Sequence, residues 1–255
     1  MGFFSGRRAV STQSYSELAE LAGGFIHEIK NHLSTLGLNL QLLAEDFQQP
    51  QTQRERRALE RISRLQDECQ RLVDVSNDFL RFARVKDLEL TPGNLAEVVS
   101  ELVDFFNPMA RQSKIDIKCY LPGDLPPVPL NKELFRQALL NLLLNAQQAM
   151  SDGGQLTIQA SRGPKGVCLS LIDTGKGMTA DAASQAFRPF FSTKPGGSGL
   201  GLATTRKIVE AHGGTITLQS EVGRGTKVSV TLPASASPPE SSESEYVAKP
   251  HETKP

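Results

Sequence analysis

Phe25-Ile26-His27-Glu28-Ile29-Lys30-Asn31 lies in a run where Leu18, Leu21, Phe25, Ile29, Leu33, Leu36, Leu40, Leu43 and Phe47 recur at intervals of three and four. At ~100° per residue these side chains share one stripe of an α-helix, and His27 points away from it. Asn31 follows one turn below and Glu28 sits beside it, so the spacing predicts an imidazole that projects into water instead of packing. An unperturbed imidazole, with a pKa of about 6.5, is largely uncharged at neutral pH and offers one ring lone pair. An acidic neighbour can hold the proton on the other nitrogen and stabilise the cation formed as the ring attacks. On this segment alone, a solvated histidine beside a solvated glutamate is the simpler account.

Working outward, Ser14-x-x-Glu17 is a capping box just before the stripe, so the first helix should begin near residue 15 and run to Phe47, where Gln48, Gln49 and Pro50 end it. Leu59, Ile62, Leu65, Cys69, Leu72, Ser76, Phe79 and Phe82 repeat the spacing in a second helix. The pair forms an antiparallel hairpin. Its apolar stripes lack a third element to bury them, which predicts a homodimer closing a four-helix bundle. The Arg54 to Arg57 cluster is placed between the helices as a solvated face.

Leu88 to Thr91 reads as a short strand and Pro92-Gly93 as a break into a second domain. Asn94-x-x-Glu97 caps a helix to about Gln112, an alternating strand covers Ile115 to Tyr120, and Pro122 to Pro129 is a proline-rich turn. Asn131 can cap a helix containing Leu134 to Met150. Strands follow at Gln155 to Ala160 and Val167 to Asp173, then a long glycine-rich segment from Thr174 to Ser198 with little regular pattern. A helix from Leu200 to Ala211 ends at Gly213-Gly214, and strands at Thr215 to Ser220 and Thr226 to Leu232 close the unit. The fold class is α+β: a helical hairpin, then an α/β sandwich. The expected division is 1–13 flexible N-terminus, 14–86 hairpin, 87–233 sandwich and 234–255 disordered tail, the last because it is rich in Ser, Pro, Glu and Lys.

Composition narrows the function classes. The 255 residues carry 28 basic and 28 acidic side chains, with no long basic cluster to suggest nucleic acid or an anionic membrane surface. No apolar run approaches spanning or signal-peptide length, so no membrane insertion and a cytoplasmic location are expected. Cys69, Cys119 and Cys168 are widely spaced within apolar patterns and read as small buried hydrophobes.

Asn141 and Asn145 share one face of an otherwise apolar helix, where two amides need polar partners. An internal hydrogen-bond network would satisfy them; so would a magnesium ion carried in on a nucleotide. Asp173-Thr174-Gly175-Lys176-Gly177 follows an apolar strand, placing a carboxylate that can accept from an exocyclic amine, although Asp- and Gly-rich turns after strands are common. Gly196-Gly197-Ser198-Gly199-Leu200-Gly201 opens a helix and supplies unpaired N–H groups for phosphate oxygens. Lys194 before it can add a point charge or be merely solvated.

In this order, from about residue 14 to 232, these segments resemble the sensor histidine kinases of two-component systems, and most of all the cytoplasmic nitrogen-regulator type. The His27 segment is similar to the family's phosphoacceptor box, Asn141 to Asn145 to its asparagine box, and Asp173 to Gly177 to its first glycine box. Phe187-x-x-Phe190-Phe191-Ser192-Thr193-Lys194 resembles its phenylalanine box, Gly197 to Gly201 its second glycine box, and Gly225-Thr226 its last. The resemblance implies an ATP-binding domain of the GHKL (Bergerat) type, with ATP and Mg²⁺ held by Asn141, Asn145, Asp173, Gly175, Gly177, Phe187, Lys194, Gly197, Gly199, Leu200, Gly201 and Thr226. Asn145 would be the metal ligand. It further implies that His27 attacks the γ-phosphate with Glu28 as acid/base partner, and that the phosphoryl group passes to an aspartate of a response regulator. Asn31 matches the position that orients water for dephosphorylating that regulator, and Leu38 and Leu42 offer either a docking patch for it or packing against a bundle helix.

His32 stands where the family commonly has proline, so the helix kink should be weakened, and His32 becomes a rival phosphoacceptor at the stripe edge. His212 reads as structural. With few residues before the first helix, no sensory domain is expected and input should come from a partner. The rival readings are a GHKL-type ATPase, which would use a glutamate at the position held here by Asn141, and a non-catalytic dimeric scaffold.

Overall fold

The computed structural model describes residues 26, 28–85, 88–164, 166–194 and 196–235. The Ser14-Glu17 cap, the start of the first helix, His27 and the tail from 236 lie outside these.

Helix α1 is helical over 28–45. Helix α2, Gln53–Arg84, starts on a capping box that the sequence reading missed: Thr52 Oγ1 accepts from the Glu55 N–H while the Glu55 carboxylate accepts from the Thr52 N–H. The Arg54 to Arg57 cluster therefore forms the first turn of α2 and not the connection between the helices. Within one chain the hairpin stripe is poorly covered: Ile62 and Cys69 are buried, but Leu36 (50%), Leu43 (44%), Leu65 (54%) and Leu72 (45%) remain exposed. A stripe of that composition is stable only against another apolar surface.

Beyond α2 the chain is an α/β sandwich. Strands β1 (Thr91–Gly93) and β3 (Val128–Leu130) form a small antiparallel pair of their own. β1 takes only Thr91 from the strand expected at Leu88 to Thr91 and runs on through the expected Pro92-Gly93 break, while β3 begins inside the expected Pro122 to Pro129 turn. Pro92 sits opposite Pro129 in the register, a position where neither residue needs to donate to the ladder, so the prolines that hid these strands are compatible with them. The main sheet has the order β2-β4-β5-β7-β6, with β2 (Ile115–Tyr120) parallel to β4 (Gly154–Gly163) and the pairings among β4, β5 (Gly166–Asp173), β7 (Gly225–Pro233) and β6 (Thr215–Glu221) antiparallel.

Strict alternation builds the core. Leu156, Ile158 and Ala160 of β4, Val167, Leu169 and Leu171 of β5, and Val228, Val230 and Leu232 of β7 are all buried in one cluster with helices α3 (Leu95–Gln112) and α4 (Lys132–Ala149). The opposite face carries hydroxyls, including a Ser170–Ser229 hydrogen bond of 3.0 Å. Asn94 caps α3 and Asn131 caps α4 as their sequence positions predict. A short helix α5, Ala180–Gln185, capped by Thr179, lies within the segment expected to be irregular. Against the expectation of burial, Cys119 is exposed on β2, the edge strand of the sheet, and Cys168 is half-buried. Burial of Cys69 matches the pattern. No helix among the described residues is long and apolar enough to cross a membrane.

Helix α6, Gly201–Ala211, lies against α4, and His212 at its end ties the two together. The buried imidazole takes the Asn131 N–H on Nε2 at 3.0 Å, so Nδ1 carries the proton and donates to the Ile208 carbonyl at 2.7 Å. Phe135 packs edge-on against the ring. His212→Ala would leave the Asn131 N–H without its acceptor and open a cavity, while the Ile208 carbonyl keeps the backbone N–H of residue 212, so the expected loss of stability is about 2–4 kcal/mol, read from denaturant unfolding followed by circular dichroism.

Candidate functional site

The inward end of β5, the middle of α4, the loop after α5 and the start of α6 surround one cavity of about 370 Å³. Helix α4 turns Leu139, Leu142, Leu143 and Ala146 into the core and presents Asn141, Asn145 and Gln148 to the cavity at helical spacing. Asn141 Nδ2 donates to the Gly201 carbonyl at 3.3 Å, which couples α4 to the first residue of α6. Asn145 Oδ1 accepts from Lys194 Nζ at 2.9 Å, and the same ammonium donates to Gln148 Oε1. An amide oxygen that already holds one cation is suited to holding another, so the donor set fits a nucleotide-borne Mg²⁺ at Asn145.

Asp173 ends β5, buried. Its Oδ1 accepts from the Gly175 N–H at 2.9 Å and the Thr226 N–H at 3.2 Å, which leaves Oδ2 to accept from a ligand. Burial pushes its carboxyl above the ordinary carboxylate value, and the two backbone donors pull the other way without overcoming it. Lys194 is pushed down from the ordinary lysine value, first by burial and then by the nearby Lys176 charge. Both ammonium groups line the cavity, and an anion bound there would relieve their repulsion.

The glycines divide by what their missing side chains would meet. Gly177 has a φ of 64°, and a Cβ there would lie 1.9 Å from the Glu221 carbonyl oxygen; one on Gly175 would lie 2.6 Å from the Ala149 carbonyl oxygen. Both serve close backbone packing, and Gly177 also lines the cavity. Gly201 differs, since its nearest neighbour would be Asn141 Cγ at 4.0 Å, and it opens on the cavity. Of the residues expected from sequence, Asn141, Asn145, Asp173, Gly177, Lys194, Gly197, Gly199, Gly201 and Thr226 line the cavity. Gly175, Phe187 and Leu200 do not: Leu200 is fully buried, and Phe191 with Ala186 takes the place expected for Phe187. Gln148 was missed although its spacing from Asn141 and Asn145 announced it. Asp78 and Arg81, which also line the cavity from α2, had no local signal. On α1, Glu28, Asn31 and His32 are exposed, as are Leu38 and Leu42, while His27 itself lies outside the described residues.

A family model described as the histidine kinase-, DNA gyrase B-, and HSP90-like ATPase matches residues 131–236, the segment that builds most of this cavity. That match covers less than half of the 255 residues. The chain is 33% identical over 216 residues to the sensor histidine kinase ZraS of Escherichia coli K12, covering 85% of this chain and 45% of that protein. It is also 33% identical over 218 residues to sporulation kinase E of Bacillus subtilis 168, covering 85% of this chain and 28% of the other. Among solved structures, full-length ShkA in complex with AMPPNP aligns with a TM-score of 0.65 at 27% identity, over 85% of this chain and 46% of that one. The catalytic domain of the histidine kinase ThkA aligns with a TM-score of 0.53 at 29% identity, over 58% of this chain and 97% of that one. The likeness to ZraS, sporulation kinase E and ShkA runs over 85% of this chain. The chain spans less than half the length of the curated relatives just named.

The raised Asp173 value carries a sign. A folded-state pKa above the unfolded one means that the protonated acid favours the fold at low pH, a contribution lost as pH rises through the folded value. Asp173→Asn keeps an oxygen for the two backbone donors and removes the buried charge. Its melting temperature at neutral pH is expected to equal or exceed that of the parent, with a flatter pH dependence just above the ordinary carboxylate range, as followed by scanning calorimetry.

Proposed function

We propose that this chain is an ATP-dependent protein histidine kinase that phosphorylates His27 and passes the phosphoryl group to an aspartate of a response regulator. The observation that carries the reading is the convergence of Asn141, Asn145, Asp173, Lys194 and the start of α6 on one cavity. Asp173 would accept from the exocyclic amine of adenine, the α6 N-terminus and Lys194 would hold phosphate oxygens, and Asn145 with Asn141 would face the metal. Mg²⁺, when bound, would neutralise phosphate charge. The remaining task of the protein is alignment and charge stabilisation.

In the proposed reaction a ring nitrogen of His27 bonds to the γ-phosphorus as the bond to the bridging oxygen breaks and ADP leaves. Glu28, exposed beside it, acts as acid/base partner. Asn31, exposed one turn on, would orient water for hydrolysis of the phosphorylated regulator, giving the chain a phosphatase activity as well. The exposed Leu36, Leu43, Leu65 and Leu72 support a homodimer in which two hairpins close a four-helix bundle. Residues 14–86 would then be the dimerisation and phosphotransfer unit and 87–233 the catalytic unit. Exposed Leu38 and Leu42 would serve regulator docking, and a cytoplasmic location goes with the reading.

A plain ATPase is disfavoured by Asn141. The family's hydrolases place a water-activating glutamate there, whereas here an amide donates to the Gly201 carbonyl and has no basic oxygen to offer. Incubation with γ-labelled ATP distinguishes the readings: acid-labile label is expected on the parent and on His32→Ala but absent from His27→Ala. Phosphate release without bound label would establish the ATPase, and neither signal would leave the scaffold. Asn31→Ala is expected to keep autophosphorylation and to slow regulator dephosphorylation by about tenfold or more, measured on purified phosphorylated regulator.

A further inference from the structure

The C-terminal turns of α2 are attached to the nucleotide cavity by three contacts of different kinds. Asp78 Oδ2 accepts from Ser198 Oγ at 2.7 Å. The Phe79 ring stacks on Phe190 with centroids 6.4 Å apart and planes 17° from parallel, and Phe190 holds a left-handed backbone at φ 65° in that position. Lys207 Nζ of α6 donates to the Phe82 carbonyl at 2.8 Å and lies over the Phe82 ring. Asp78 and Arg81 also face the cavity itself, alongside Asn145, Lys194 and Gly201.

The chemistry at Asp78 is that of an anion held at an anion site. Ser198 Oγ, while donating to the carboxylate, accepts from the Leu200 N–H at 3.3 Å, at the very start of α6. The carboxylate thus stands one hydroxyl away from the helix end whose dipole and free N–H groups attract phosphate. Its other oxygen lies 3.7 Å from Arg81 Nη1. The pair brings one negative and one positive charge from α2 to the cavity wall.

We propose that Asp78 and Arg81 are specificity-determining residues of the nucleotide site, supplied by the hairpin, and that they read the terminal phosphate. The inference rests on the nucleotide reading above and deepens it. Asp78 opposes a third phosphate at the α6 end, and Arg81, drawn away from Asp78, pairs with that phosphate in its place. The two residues therefore act on triphosphate binding with opposite signs. A purely structural latch would not produce that split, because removing either half would loosen the same contact.

The test is calorimetric titration of the full chain with AMPPNP and with ADP at fixed Mg²⁺ and salt, for the parent, Asp78→Asn, Arg81→Gln and Ser198→Ala. Asp78→Asn is expected to tighten AMPPNP about 3–10-fold and ADP less than about twofold, and Arg81→Gln to weaken AMPPNP by a similar factor. Adding Ser198→Ala to Asp78→Asn should give less than the product of the single effects, since both act through one hydrogen bond. The proposal is overturned if the two α2 variants shift AMPPNP in the same direction, or if ADP and AMPPNP respond alike. A parent that binds neither nucleotide would overturn the nucleotide reading itself, and this inference with it, which separates the two failures. Unfolding midpoints of the same variants show whether each is folded, and Ser198→Ala probes the contact from the other side should an α2 variant fail to fold.

Discussion

One oxygen of Asp173 joins the end of β5, the loop that follows it and the second residue of β7, through the Gly175 and Thr226 N–H groups. Those donors come from segments more than fifty positions apart, and the carboxylate is held in place by backbone, not by a flexible cation. A buried acid with no ion pair among the described residues costs the fold free energy when charged, and burial pushes this carboxyl above the ordinary carboxylate value. The geometry of the cavity floor depends on it nonetheless: the glycine loop is pinned on one side by Asp173 and on the other by the Lys176 N–H to the Ala149 carbonyl at 3.0 Å. A fold selected only for stability would place an amide or an apolar residue there.

The division of labour among the glycines follows from this pinning. With Asp173, Glu221 and Ala149 offering backbone at close range, any Cβ on Gly225, Gly177 or Gly175 would collide with a carbonyl oxygen. These residues let the loop be tight. Among the glycines that line the cavity, Gly201 is the one with room for a Cβ.

Legibility in the sequence tracked how local the determining physics is. Asn94 and Asn131 announced their helices because capping acts over three residues, and β4, β5 and β7 were readable because one buried face imposes a period of two. The amide pair was legible for the same reason, being four apart on one helix. β1 and β3 were not, since Pro92 and Pro129 are strand breakers until their pairing with each other is known. Helix α5, six residues of mostly small side chains, has no apolar stripe to betray it, and only the Thr179 cap marks it. Asp78 meets Ser198 across 120 positions, a contact no window of sequence contains.

The His212 imidazole fastens the far ends of α4 and α6, where Asn131 begins one helix and Ala211 finishes the other. Their opposite portions, Asn141 and Gly201, meet through a single hydrogen bond of 3.3 Å. Between that fastening and that bond, Ala138 and Ile208 are buried together with Leu134 packed on them, so the two helices are seamed along their length and the wall of the cavity is held from both ends.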